Sequence, residues 1–361
     1  MTCRPPLSST RSSVESRQFH NQPPDSPLHR WLTALWTAVR SETGGRLDVR
    51  VCPRNDGIPG GDPQALQMLL TGEVEFYTLM GGLLGAVVPV AEIQGVPFAF
   101  TSHAQVFEAM DGTLGDFLRR ELAAKGIHAL PRAGFENGFR QISTRMRPIR
   151  TADDLVDLRI RTPAGRLFVD FFATLGARPT PINLNRLHEA LRTGVVEAQE
   201  NPLVMTEVNR LYEVQTYLSL TNHMWSGFNL LANLEKWRAL PADVRQVVEL
   251  NAAKYASLQR RETDAMNHAL VAGLAGRGMI VNEADTASFR RRLGGFYARW
   301  KRELGTTAWS LLEAHAGPLA GVRDSDPTYF RGICCASMKT TTASAINCFS
   351  SARSSRPTSE R

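Results

Sequence analysis

Leu158-Arg159-Ile160-Arg161-Thr162-Pro163 forms the centre of the stretch, residues 134–202, that decides the fold of this chain. The alternation of polar and apolar residues predicts a strand with both arginines on one face and the aliphatic residues on the other. Pro163 cannot donate to a sheet ladder, so the strand ends there. A helix with an apolar face is predicted for residues 166–175. Arg161 therefore lies at the carboxyl end of a strand, where open α/β sheets bind their ligands.

Two other strand-like runs of this stretch end in polar residues. Residues 135–140 end at Arg140, and residues 195–200 are followed by Asn201 and a proline. We expect Asn201 to lie beside Arg140 and Arg161. A guanidinium group matches a carboxylate through two parallel hydrogen bonds and stays charged at physiological pH. The pattern predicts a surface that binds a small organic anion.

Strand-like and helix-like segments alternate along the rest of the chain. Residues 28–41 predict an amphipathic helix, residues 47–51 predict a strand, and Asp62 is predicted as the N-cap of a further helix. A long helix is predicted for residues 241–274, where few residues would break it. No confident element is predicted before Asp25, because the strand-like run there is polar. This alternation indicates an α/β protein with a parallel or mixed sheet.

The composition is typical of a globular protein that is large enough for two lobes. The chain has 361 residues, of which 43% are hydrophobic and 21% are charged, and its net charge is +7. Residues 1–29 carry +1 and residues 318–361 carry +3, which leaves +3 for the body. Because most of the excess lies in the tails, it gives little support to a nucleic-acid partner. The longest apolar run, residues 79–91, is too short to cross a membrane.

The central segments resemble the DctP-type solute receptors of TRAP transporters, which are periplasmic proteins that supply organic acids to a membrane carrier. The resemblance is carried by Gly138-Phe139-Arg140, by the pattern Asp-Leu-x-x-Leu-x-Ile-Arg-x-Pro at residues 154–163, and by Gly-Val-Val-Glu-Ala-Gln-Glu-Asn-Pro at residues 194–202. It extends from about Ser26 to about Ala316. The resemblance implies a two-lobed α/β fold of the periplasmic-binding-protein type, the Venus flytrap, with hinge strands and a long lobe-spanning helix.

The resemblance also implies a division of the chain into two lobes and two flanking segments. The expected parts are an unstructured N-terminus (1–17), lobe I (18–137 with 227–265), lobe II (138–226 with 266–317) and a disordered or aberrant tail (318–361). Residues 1–17 contain no apolar segment typical of a signal peptide. We therefore expect either a wrongly placed start site or a protein that stays in the cytoplasm. The tail is explained equally well by disorder and by a frameshift.

The function implied by the resemblance is that of an extracytoplasmic receptor. It would bind a small organic acid in the periplasm and deliver it to TRAP membrane subunits, without being embedded in the membrane itself. No cofactor, metal or nucleic-acid partner is expected. The six ligand-binding candidates are Arg161, Arg140, Asn201, Trp225, Tyr77 and Asn137.

Each main candidate also has a structural interpretation. An arginine at position 161 is also compatible with an ion pair between the lobes. An asparagine before a proline, as at Asn201, is also compatible with an Asx-turn. Trp225 is equally compatible with stacking on the ligand and with packing in the core. Cys52 is the one cysteine in the body of the chain, and we expect it to be a buried structural thiol.

Two alternative functions remain open from sequence. An α/β enzyme acting on a small carboxylic acid is disfavoured, since the chain lacks a Gly-x-Ser-x-Gly elbow, a phosphate-binding loop, a dinucleotide fingerprint and metal-spaced histidines. A triad formed by distant residues is not excluded by these absences. A DNA-binding regulator is disfavoured because no helix-turn-helix precedes residue 30.

Overall fold

The computed structural model describes residues 14–319, with the side chain of His268 left out. The strands in this part of the chain are β1 (Val14–His20), β2 (Leu47–Cys52), β3 (Phe76–Met80), β4 (Ile127–Thr144), β5 (Arg159–Thr162), β6 (Arg178–Pro181), β7 (Ala198–Pro202), β8 (Tyr217–Leu220), β9 (Trp225–Asn233) and β10 (Ile280–Glu283).

The α-helices lie between and after these strands. They are α1 (Pro27–Glu42), α2 (Gly61–Thr71), α3 (His103–Asp111), α4 (Thr113–Ala123), α5 (Arg166–Thr174), α6 (Leu187–Arg192), α7 (Leu203–Val208), α8 (Leu234–Ala239), α9 (Ala242–Gly276), α10 (Thr286–Arg290), α11 (Gly294–Leu304) and α12 (Thr306–Ala316). Short 3-10 turns connect several of them, among them Gly81–Ala86 and Pro89–Gly95.

The strands form a mixed sheet with the order β2-β1-β3-β9-β4-β7-β5-β6. The first part of β4 pairs antiparallel with β9, and its last five residues pair antiparallel with β7. Strand β8 also pairs with the end of β4 and carries β10 on its other side. The long strand β4 therefore belongs to both parts of the sheet, and the α/β class predicted from sequence is confirmed.

Strand β1 corrects one expectation from the sequence. Residues 14–17 were expected to be unstructured, but they begin a strand that pairs parallel with both β2 and β3. Two donors of this strand find partners in or next to β3. The buried Gln18 amide donates to Thr78 Oγ1 at 2.9 Å, and the backbone N–H of Arg17 donates to Glu75 at 2.9 Å. A buried polar group that is hydrogen-bonded removes the main cost of placing a polar strand inside a sheet.

The predicted lobe boundaries fall inside three long elements. The boundary at 137/138 lies within β4, the one at 226/227 within β9, and the one at 265/266 within α9. The long helix predicted for residues 241–274 is present as α9. The division into lobes at these positions stays a prediction.

The C-terminal helices contact elements of both predicted lobes. Helix α12, which was expected in lobe II, packs against α3 and α4. The Gln105 amide of α3 donates to the backbone oxygen of His315 at 2.6 Å. Helix α11 packs against α5, where Arg299 and Trp300 donate to the Asp170 carboxylate. Residues 318 and 319 continue from α12, and the rest of the predicted tail lies outside the described residues.

The main hydrophobic core is continuous across the sheet. It includes aromatic side chains from the segment around Phe98, from α5 and from the C-terminal helices. The rings of Phe171 and Phe98 meet edge to face with centroids 6.3 Å apart, and those of Phe171 and Phe296 do the same. Among the described residues, no helix combines the length and apolarity that a membrane span requires.

Candidate functional site

Arg161 lies near the end of β5 with its guanidinium group buried. Its relative exposure is 3%, and its Nε donates to the backbone oxygen of Ile182 at 2.7 Å. Within residues 14–319, no carboxylate forms an ion pair with it. Burial lowers the pKa of Arg161 to about 10, so the group is still protonated at neutral pH. A buried cation without an anion is costly, and such a group binds an incoming carboxylate strongly.

Arg140 has the opposite environment, because its charge is already neutralised. Its guanidinium group forms a bidentate ion pair with the buried Glu200 carboxylate, in which Nη2 lies 2.8 Å from Oε1 and Nε donates to Oε2. Nη1 donates to Ser226 Oγ at 3.2 Å, and the group lies over the ring of Phe168. The predicted second anion contact is therefore occupied by a partner from the same chain in this structure.

Glu200 was not among the predicted site residues. Burial raises the pKa of its carboxyl group, but the Arg140 guanidinium and the hydrogen bond from His223 outweigh burial and bring the pKa below its ordinary value. His223 is itself buried, and burial lowers its pKa. The alternation in residues 195–200 predicts that Glu200 and Glu197 lie on opposite faces of the strand. It does not show that Glu200 pairs with Arg140.

Asn201 lies beside Arg140, as predicted. Its Oδ1 accepts a hydrogen bond from Arg140 Nη2 at 3.2 Å, and its Nδ2 donates to Gln199 Oε1 at 2.6 Å. The strand neighbours explain this arrangement, since β7 lies between β4 and β5 and pairs Gln199 with Arg161. The three predicted polar residues thus come from three adjacent strands.

Tyr77 belongs to a buried network centred on Asp62. The Tyr77 hydroxyl donates to Asp62 Oδ1 at 2.7 Å, Asn55 donates to the same oxygen at 2.8 Å, and Asn21 donates to Oδ2 at 2.9 Å. Burial and the neighbouring carboxylate raise the pKa of Tyr77. Asp62 is therefore not the N-cap predicted from sequence. The N-cap of α2 is Gly60, and the Asp62 side chain points to Tyr77 instead.

The Asp62 network lies close to the segment that holds Arg161. A β-carbon added to Gly61 would lie 3.4 Å from Asn183 Nδ2, so the loop before Asp62 contacts the residue that follows Ile182. The negative charge of Asp62 acts on Arg161 and raises its pKa against the effect of burial. Arg161 is thus held by a segment after β6, which in turn lies against the start of α2.

Asn137 and Trp225 make contacts inside the protein where β4 bulges between Glu136 and Gly138. Asn137 Nδ2 donates to Ser226 Oγ at 3.0 Å. Trp225 Nε1 donates to Glu136 Oε1 at 2.8 Å, and its ring packs edge to face against that of Phe107. Trp225 therefore has the contacts of a core residue, which favours the second of its two interpretations.

Comparison with known proteins gives one family. The sequence profile of the bacterial extracellular solute-binding proteins, family 7 (DctP), matches residues 19–303. The chain is 27% identical over 257 residues to the 2,3-diketo-L-gulonate-binding periplasmic protein YiaO of Escherichia coli, which covers 71% of this chain and 77% of that protein. It is 32% identical over 251 residues to a solute-binding protein of Roseobacter denitrificans, which covers 69% of this chain and 75% of that protein.

Solved structures of TRAP periplasmic solute-binding proteins are similar to this chain. The protein from Sulfitobacter sp. NAS-14.1 with bound β-D-galacturonate is 26% identical, has a TM-score of 0.79 and covers 84% of this chain and 100% of its own. The protein from Polaromonas sp. JS666 bound to D-erythronate is 28% identical, has a TM-score of 0.79 and covers 86% of this chain and 100% of its own.

Proposed function

The chain belongs to the bacterial extracellular solute-binding proteins of family 7, and we propose that it is the receptor of a TRAP transporter, binding a small organic acid and delivering it to the membrane subunits. Its fold is the two-lobed fold of TRAP solute-binding proteins. Two similar structures hold sugar acids, which supports an organic acid as the ligand. The periplasmic relative from Escherichia coli supports the same compartment for this protein. No comparison supports an α/β enzyme.

The observation that carries this proposal is the buried charge of Arg161. Because this guanidinium group has already lost its water and has no carboxylate partner among the described residues, a ligand carboxylate would gain a strong, charge-assisted pair without a further desolvation cost on the protein side. The hydrogen bond from Nε to Ile182 fixes the plane of the group before the ligand arrives. Such a fixed donor suits reversible binding of an anion.

We assign four other candidate residues, Arg140, Asn201, Tyr77 and Asn137, to the walls of the same site. Arg140, held by Glu200, keeps Asn201 in place through a hydrogen bond to its Oδ1. Tyr77 and Asn137 orient neighbouring polar groups through Asp62 and Ser226. These side chains shape the site without supplying an unpaired charge.

We propose that the lobes close on the ligand by bending at β4, β9 and α9. These three elements contain the predicted lobe boundaries, and the bulge in β4 interrupts the ladder where bending would occur. The membrane subunits would recognise the closed form, whose population rises when an acid binds.

The test is titration calorimetry of Arg161→Ala with an acid that raises the melting temperature of the wild type. We expect affinity to fall by about 3–5 kcal/mol, because the ligand carboxylate would be buried without its partner. The melting temperature without ligand should be unchanged or higher, since the substitution removes an unpaired buried cation.

The matched control is Arg178→Ala on the neighbouring strand β6. Arg178 is exposed and pairs with Asp157 at 2.7 Å, so its removal should leave affinity within about twofold of the wild type. Unchanged affinity in Arg161→Ala, with the control behaving as expected, would contradict the proposed role of Arg161.

A further inference from the structure

The balance of charged side chains around Arg161 favours the binding of one ligand carboxylate. The charged groups that act on it are Glu200, Arg140 and Asp62. Arg140 and Glu200 neutralise each other through their bidentate ion pair. Arg161 is therefore the one cation of this group that has no anion, and a single carboxylate would pair with it. A second carboxylate would have to be buried beside Asp62 and Glu200 without a cation.

The carboxylate of Asp62 disfavours a second ligand anion in its neighbourhood. Its carboxylate is buried and is held in place by Tyr77, Asn55 and Asn21. Three donors fix the two oxygens, so the carboxylate has little freedom to turn away from a ligand. The contact between Gly61 and Asn183 places this carboxylate next to the segment that holds Arg161.

The same network also presents hydrogen-bond acceptors that lack donors. A carboxylate can only accept, so Asn21 and Asn55 must turn their amide nitrogens toward Asp62. This orientation leaves both amide oxygens free, and each is buried with no hydrogen-bond partner in the described part of the chain. Unpartnered buried acceptors are costly and require a donor. A ligand hydroxyl is such a donor, whereas a second ionised carboxylate is an acceptor only.

We propose that the site selects a hydroxylated monocarboxylate over a dicarboxylate. Arg161 binds the carboxylate, and the ligand hydroxyls donate to the Asn21 and Asn55 side of the site, where the charge of Asp62 repels a second carboxylate. The proposal rests on the proposed function, because it specifies the acid that the same site takes.

The experiment compares three acids of equal chain length by titration calorimetry on the full chain. They are 2,3,4-trihydroxybutanoate, butanoate and butanedioate. We expect trihydroxybutanoate to bind at least about tenfold more tightly than either of the others. Tighter binding of butanedioate would overturn the proposal.

Two variants test the two halves of the argument. Asp62→Asn removes the repelling charge and should improve the affinity for butanedioate relative to trihydroxybutanoate by about tenfold. Asn21→Ala removes one acceptor and should weaken trihydroxybutanoate by about five- to tenfold while leaving butanoate unchanged. The control is Asn209→Ala, whose amide donates to Met205 at the end of α7 and should affect none of the three.

The outcomes separate this inference from the proposed function. If none of the acids binds and longer hydroxylated acids do not bind either, the proposed function fails. If all three bind but Asn21→Ala weakens them equally, the residue has only a structural role and the inference alone fails. Should Asp62→Asn not fold, the wild-type comparison of the three acids still decides the question.

Discussion

Two arginines on the same face of β5 have different environments because different segments cover them. Arg159 pairs with Glu197 at 3.1 Å, and both side chains are about half exposed, at 47% and 38%. Arg161, two residues further on, is buried and donates to Ile182, in a segment that lies against Gly61. The alternation in the sequence predicts the shared face correctly. It cannot predict the burial, which depends on segments distant in sequence.

Glu200 belongs to a buried ion pair and Glu197 to an exposed one, so substituting each tests how burial changes the contribution of an ion pair to stability. Glu200→Gln would leave the buried guanidinium of Arg140 without an anion, and we expect the free energy of unfolding to fall by about 3–5 kcal/mol. Glu197→Gln breaks the exposed pair with Arg159 and should cost about 0–1 kcal/mol. Urea denaturation of both variants measures the difference. Equal losses would show that Arg140 gains little from its partner.

Glu92 is a further buried carboxylate that no sequence pattern singles out. Its Oε2 accepts a hydrogen bond from the backbone N–H of Leu167 at 2.6 Å, in the first turn of α5. Burial, with a smaller effect from the charge of Glu303, raises the pKa of Glu92 to about 7, against the opposing effects of the Leu167 N–H and the charge of Arg166. The folded protein therefore binds a proton at Glu92 that the unfolded chain has lost.

This shift makes stability depend on pH in a defined window. The contribution of protonated Glu92 is fully present below the unfolded pKa of 4.5 and is lost as pH rises through about 7. Stability should fall by up to about 1.4 kcal/mol per pH unit in this window. In Glu92→Gln this decline should disappear when melting is followed between pH 5 and 8. The exposed Glu235→Gln serves as the control and should keep the decline of the wild type.

At the level of elements, β4 depends on a close approach between strands at Gly138. This glycine has a φ of 120°, and an added β-carbon would lie 3.2 Å from the Pro202 side chain. Both the backbone conformation and the contact favour glycine. The bulge next to it directs Asn137 toward Ser226 and leaves Arg140 facing β7.

Gly138→Ala should therefore destabilise the protein by about 1–3 kcal/mol and weaken ligand binding, because the strain displaces Arg140 relative to Asn201. Gly273→Ala is the matched control. Gly273 lies inside α9 with no heavy atom within 4 Å of an added β-carbon. Replacing it should stabilise the helix by about 0.5–1 kcal/mol. Chemical denaturation and calorimetric titration test both variants, and a neutral Gly138→Ala would show that the strand adapts.

Elements differ in how far the sequence predicts them. The helix α9 and the strand β5 follow from periodicity and from proline positions, and both are present. The strand β1 was missed because its polar residues hide the pattern, and its partners are distant in sequence, with Thr78 in β3 and Glu75 directly before it. The hydrogen bond between Tyr77 and Asp62 was not predicted either, because an aspartate before a proline also fits an N-cap. A local sequence pattern cannot show that a polar group is buried and hydrogen-bonded to a residue distant in sequence.

At the level of the whole molecule, the two parts of the sheet in residues 14–319 share the strand β4 and the main hydrophobic cluster, while smaller clusters belong to single parts. The continuous core draws on residues of both predicted lobes and of the C-terminal helices. The return strand β9 and the helix α9 cross the predicted boundaries as well. The proposed binding at Arg161 would therefore act on the predicted lobes through elements that belong to both.

Because β4 belongs to both parts of the sheet, the protein should unfold cooperatively. A chain cut near residue 137 would give each half an incomplete sheet edge and an incomplete core, so neither fragment should fold alone. Differential scanning calorimetry of the intact chain should show one transition whose van't Hoff and calorimetric enthalpies agree. Two separate transitions would mean that the halves melt independently. A single transition would mean that the lobes, whose closure on the ligand we propose, nevertheless unfold as one indivisible thermodynamic body.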